Sequence, residues 1–169
     1  MKRISIFILA FTPLIGTASY SDHLKEISVY GGSSYRYGHT IYNSFDLMYE
    51  NYNSTCTNTT YKGFGLRYDN YRNNGEAYSV KFFHGIGRFR FPMPYLALSP
   101  VVYTNAHQSA FLLKPEVGIM FKFQPIRDSQ WGLNMYASYG YDIPLINSET
   151  FILQRSEICL KLGLSYNLY

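Results

Sequence analysis

Beyond residue 15 the chain has no apolar run approaching the roughly 20 residues a membrane-crossing helix needs, and no useful stretch repeats its apolar residues every three or four positions. That argues against both a helical bundle and a helical membrane protein. Cysteine is scarce: Cys56 and Cys159 are the two among 169 residues, too few for a fold stapled by disulfides. Neither stands beside histidine at a zinc-ligand spacing, so no metal is expected. A surplus of one charge is missing as well. The formal net charge is +4, and without Lys2 and Arg3 it is +2, which offers nucleic acid no basic surface. There is no internal repeat, no low-complexity tract and no cofactor motif, so no cofactor is expected.

What the chain does hold is aromatic residues. Tyr, Phe and Trp make up 18% of it, more than the 15% that is charged. The first residues, Met1-Lys2-Arg3, are basic, the run Ile4 to Ile15 is mostly apolar, and Gly16-Thr17-Ala18-Ser19 is small. This order reads as a secretory signal peptide over residues 1–19, cut after Ala18 or Ser19. The remaining ~150 residues, 20–169, are the length of one domain. In a secreted chain Cys56 and Cys159 have the chemistry to pair, although a polar turn and a strand interior are poorly placed to meet.

From there the pattern has a period of two. In the last twelve residues Ile158, Leu160, Leu162, Leu164, Tyr166 and Leu168 fall on one face and Cys159, Lys161, Gly163, Ser165 and Asn167 on the other, which is a strand with one apolar face. Trp131 to Tyr141 alternates as cleanly, setting Leu133, Met135 and Ala137 against Asn134, Tyr136 and Ser138. The same reading gives strands over Glu26–Tyr30, Phe45–Tyr52, Tyr61–Arg72, Tyr78–Phe91, Tyr95–Thr104, Phe111–Phe123 with a bulge at Pro115, and a closing strand over Phe151–Tyr169. Ser33–Ser44 and Asp142–Thr150 read as polar loops, the first presenting Tyr35, Tyr37 and Tyr42 to a partner or to an aromatic girdle. Arg72-Asn73-Asn74-Gly75-Glu76 carries a hairpin signal. A mean hydropathy of −0.15 does not oppose a membrane barrel, because alternate residues alone meet lipid.

The ending Gly163-x-x-Tyr166-x-Leu168-Tyr169 resembles the C-terminal signature of bacterial outer-membrane β-barrel proteins, a last strand of alternating apolar residues with a terminal aromatic. Here the aromatic frame is shifted by one, with Tyr169 off the Tyr166 face. The resemblance spans the whole chain after the signal, and it is to the small eight-stranded barrels. It implies an all-β, antiparallel, up-and-down transmembrane barrel in the bacterial outer membrane. The implied partners are outer-membrane lipid and lipopolysaccharide, and the barrel-assembly machinery through the C-terminal strand. The chain is expected to be monomeric.

An eight-stranded barrel is just wide enough for side chains to fill it. The polar faces collect Asp46, Glu50, Arg67, Asp69, Lys81, Lys114, Glu116, Lys122, Arg155, Glu157 and Lys161, near balance in sign, as a buried network requires. The expected result is a plug of ion pairs; the alternative is a charged conduit for a small ion. One catalytic constellation stands out. His107-Gln108-Ser109 places imidazole and hydroxyl on one strand face. It resembles the His-x-Ser motif of outer-membrane lipid A deacylases, in which a downstream glutamate orients the histidine, and Glu116 is the glutamate nearby. Thr104-Asn105-Ala106 before the pair, and Ala110 after it, read as loop, so no catalysis is expected. Three functions thus compete: a structural or interaction barrel with a side-chain-filled interior that binds, if it binds anything, through its extracellular loops; a lipid esterase using Ser109 and His107; and a soluble β-sandwich or lipocalin-like carrier, which would need one strand face to be polar and exposed to water.

Overall fold

A computed structural model describes residues 23–36, 39–54, 59–71, 75–87, 92–106, 108–123, 130–146 and 156–168. The signal segment, Tyr37, Cys56, His107, Arg155 and Tyr169 lie outside these residues. The strands are β1 (His23–Arg36), β2 (His39–Ser54), β3 (Thr59–Asn70), β4 (Glu76–Gly87), β5 (Met93–Thr104), β6 (Ser109–Phe123), β7 (Trp131–Tyr141), β8 (Ile143–Ile146) and β9 (Ser156–Leu168).

Each strand pairs antiparallel with its neighbours, β1 meets β9, and β5 meets β6, so the sheet closes on itself. β8 is a four-residue continuation of β7 past Asp142 that follows β6 alone. The closed wall therefore has eight staves, an eight-stranded antiparallel up-and-down barrel. Among the described residues closure leaves no sheet edge along the wall outside the short β8, which is what a strand needs where no water can satisfy its backbone.

Period-two alternation decides which residue goes where. On β9 Ile158, Leu160, Leu162 and Leu164 point out, each at least half exposed, while Cys159, Lys161, Gly163 and Ser165 are buried. The same parity holds on β3 to β7. The outer wall is a belt of Ile27, Val29, Leu47, Phe64, Leu66, Phe82, Leu98, Val117, Ile119 and Leu133. Outward charges such as Lys25, Lys62 and Glu76 sit near strand ends. Aromatic pairs edge the belt: Trp131 with Tyr166 at the end where β1 begins and β9 finishes, and Tyr68 with Tyr78 toward the far end.

Five expectations need correction. Ser33–Ser44 is mostly strand, because β1 and β2 run on to Arg36 and from His39 with a register shift after Ser34; their hydroxyls and tyrosines are as compatible with a ladder as with a loop. Tyr42 consequently points inward and is fully buried. Pro115 forms no bulge against β5, where it faces Leu98 in continuous register. It falls instead where β6 changes partner from β7 to β8, a place where a missing N–H costs no ladder bond. Ile143–Ile146, expected in a loop, is β8, and Ala110 is a buried strand residue.

Rings fill the interior by lying across glycines on the adjacent strand. Tyr30 faces Gly163, Tyr61 faces Gly85, Phe83 faces Gly63 and Tyr95 faces Gly118 in direct register. A Cβ added at Gly163 would lie 2.3 Å from the Tyr30 ring, and one at Gly85 2.2 Å from the Tyr61 ring. These glycines are required for close approach.

Candidate functional site

The lumen is the one place where the described residues concentrate ionisable groups. Of the eleven charges assigned to it from sequence, ten are described and none of these ten is exposed; Arg155 lies outside the described residues. They sort into three levels along the barrel.

At the end where β1 begins, Lys122 from β6 pairs with Glu26 from β1 and stands 4.0 Å from Glu50 of β2. Its ammonium also lies over the Tyr52 ring, 3.9 Å from the centroid. Glu50 accepts from Tyr30 Oη and Tyr52 Oη at 2.7 Å and from Ser28 Oγ at 3.2 Å. Asn134 Nδ2 donates to Tyr30 Oη at 3.2 Å.

In the middle, Arg67 spans the lumen. Its Nε donates to Asp46 Oδ1 at 3.1 Å and its Nη1 to Glu116 Oε1 at 2.5 Å. Asp46 also accepts from Lys161 Nζ at 2.6 Å and from Tyr136 Oη, and Glu116 is paired with Lys81 Nζ at 2.6 Å. Lys81 sits 4.8 Å from the Tyr136 ring centroid. β2, β3, β4, β6, β7 and β9 all contribute to this level, so it ties opposite walls together.

Toward the far end, Lys114 Nζ lies 2.9 Å from Glu157 and 3.4 Å from Asp142, and donates to Tyr42 Oη at 3.2 Å. Tyr42 in turn donates to Glu157. Ser44 joins this level to the middle, donating to Asp69 and accepting from Lys161 at 2.5 Å. Above it the Tyr42 ring lies tilted against Tyr71, and Tyr71 meets Tyr103 edge on face. A void beside Asp46, Glu50 and Lys81 measures ≈ 10 Å³, about the room of one water.

Glu26, Asp142 and the tyrosines Tyr30, Tyr42, Tyr52 and Tyr136 belong to this network but were not selected from sequence. Glu26 shares the parity of Ser28 and Tyr30, which is the signal that finds it. Asp142 was hidden by its place in an apparent loop.

The esterase constellation is not assembled among the described residues. Ser109 is exposed at the start of β6, its Oγ donating to Thr104 Oγ1 at 3.2 Å. Glu116 is seven residues further on, roughly 23 Å along an extended strand, and faces the lumen in the grip of Arg67 and Lys81. It cannot orient a histidine beside Ser109. Cys159 is a buried free thiol on β9. No group of three or more His, Cys, Asp or Glu suited to a metal occurs among the described residues.

No family of known proteins matches this chain, and no curated protein matches it by sequence. Among solved structures, it is similar to the N-terminal β-barrel domain of OprF from Pseudomonas aeruginosa, with 14% identity, a TM-score of 0.45, and coverage of 88% of this chain and 98% of that one. It is similar to the same extent to Neisserial surface protein A, with 12% identity, a TM-score of 0.45 and the same coverage.

Proposed function

We propose that this chain is an outer-membrane β-barrel of a bacterial envelope, sealed by its own side chains, non-catalytic, and acting through its wall and far-end surface. The observation that carries the reading is the inversion of the fold. Ionisable groups lie inside, and a closed belt of exposed Leu, Ile, Val and Phe lies outside. A water-soluble barrel or sandwich has no use for such a belt, because a monomer rarely exposes more than a few hundred Å² of contiguous apolar surface. A closed barrel in lipid requires it. The basic-apolar-small start of the sequence supports export. The partners that follow are outer-membrane lipid and lipopolysaccharide around the belt and the assembly machinery during insertion, with the protein as a monomer.

Fractionation with gel analysis tests this. The mature protein should appear in outer membranes, and an unheated sample should run as a compact band that shifts on boiling. A soluble periplasmic protein with no shifted band would overturn the reading.

A further inference from the structure

Three exposed basic side chains, Lys25, Lys62 and His84, stand on the outer wall near the end where β1 begins. The ladder sets them in one row. Lys25 of β1 lies opposite Asn51 of β2, Asn51 opposite Lys62 of β3, and Lys62 opposite His84 of β4, all in direct register. No described carboxylate pairs with any of the three. The outward carboxylate nearest in sequence, Glu76, is eight residues from His84 at the other end of β4, about 26 Å along the strand, and accepts from Tyr78 Oη.

The next row toward the middle is Ile27, Tyr49, Phe64 and Phe82, again in direct register, with the Tyr49 and Phe64 rings 5.7 Å apart between centroids. Behind it come Val29, Leu47, Leu66 and Val80. Within about 13 Å of strand this face of the wall passes from basic to aromatic to aliphatic. A lipid with an anionic headgroup offers the complementary order, phosphate first and acyl chain after it, with aromatic rings suited to the boundary between them. Lys25 and Lys62 are two strands apart, about 10 Å, close enough for two flexible four-carbon stems to bring both ammoniums onto one phosphate.

We propose that this row is a site for a phospholipid of net negative charge. Lys25 and Lys62 hold its phosphate over Asn51, His84 offers a further donor, and its acyl chains lie along Tyr49 and Phe64. Charge complementarity decides the occupant: a zwitterionic headgroup would bring its own ammonium against two lysines that have no carboxylate beside them. The proposal rests on the membrane reading above. β1 begins and β9 finishes at this end, so a barrel inserted from the periplasm presents the row to the phospholipid leaflet.

Native mass spectrometry of the protein, extracted in mild detergent and offered equal amounts of phosphatidylglycerol and phosphatidylethanolamine with the same acyl chains, tests it. Wild type should retain phosphatidylglycerol in preference. Lys25→Gln and Lys62→Gln should each reduce that preference about fivefold, the double variant should abolish it, and Lys62→Arg should keep it. Arg36→Gln removes the same charge at the far end of β1 and should leave the preference intact. Equal retention of the two lipids by wild type, an undiminished preference in the double variant, or an equal loss in Arg36→Gln would each overturn the site. So would displacement of the lipid by equimolar lipopolysaccharide or inorganic phosphate. Heat-shifted mobility of wild type and every variant separates these results from failure of the barrel reading itself.

Discussion

Arg67 spans the lumen between two carboxylates, yet the loss of Lys122 should cost more than the loss of Arg67. Removing one partner of a buried ion pair costs about 3–5 kcal/mol, because the other charge is left without compensation. In Arg67→Met, Asp46 retains Lys161 at 2.6 Å and the Tyr136 hydroxyl, and Glu116 retains Lys81 at 2.6 Å. Each carboxylate keeps a cation, which places the cost at the low end, about 3 kcal/mol. In Lys122→Met, Glu26 loses its paired lysine and Glu50 the nearest ammonium, while the hydroxyls of Tyr30, Tyr52 and Ser28 remain for Glu50 alone. Among the described residues no other cation is paired with either, so the cost should approach about 5 kcal/mol. Replacing Glu26 with Gln in the same chain removes one orphaned charge and should return about 2 kcal/mol, in the range of a charge left unmade. Urea unfolding from lipid vesicles gives the numbers, and Trp131, the single tryptophan, reports it from the outer wall. If Arg67→Met costs as much as Lys122→Met or more, or if Glu26→Gln fails to rescue, the partition of the lumen into separately compensated levels is wrong.

Leu162→Arg puts a guanidinium in the middle of the outer belt and should destabilise the inserted barrel by roughly 2–4 kcal/mol, read by the same unfolding measurement; insertion as efficient as wild type would mean the β9 face is not lipid-facing. Ser109→Ala should leave the lipid A acylation pattern of expressing cells unchanged, as mass spectra of extracted lipid A will show. Loss of one acyl chain with wild type, reversed by that substitution, would make the chain an esterase.

Where each side chain faces was legible because a strand offers two directions and the outer one carries charge near strand ends alone among the described residues. Lys161 between Leu160 and Leu162, or Asn134 between Leu133 and Met135, has one place to go. Parity does not give height along the barrel. Nothing in Glu116 or Arg67 states that they meet, since their contact across 49 residues depends on strand tilt and on where β6 changes partner. Polar content misled at Ser33–Ser44: serines, asparagines and tyrosines suit an inward face of a barrel as well as a loop, and Tyr42 was assigned to the surface for that reason. Asp142 failed similarly, because the break between β7 and β8 is one residue long and the four apolar residues after it were too few to read as a strand.

The lumen also bears on what kind of protein this is. The described residues bury seven acids, Glu26, Asp46, Glu50, Asp69, Glu116, Asp142 and Glu157, against five bases, Arg67, Lys81, Lys114, Lys122 and Lys161. A conduit needs ionisable groups spaced along an open path with water between them. Here Arg67 reaches from Asp46 to Glu116 across the middle, and the rings of Tyr42, Tyr71 and Tyr103 pack against one another beyond it. An ion entering from either end would have to separate a pair at 2.5–3.1 Å before gaining any coordination of its own. That cost is the desolvation of two buried charges, several kcal/mol for each. The same contacts that hold opposite walls together therefore close the lumen.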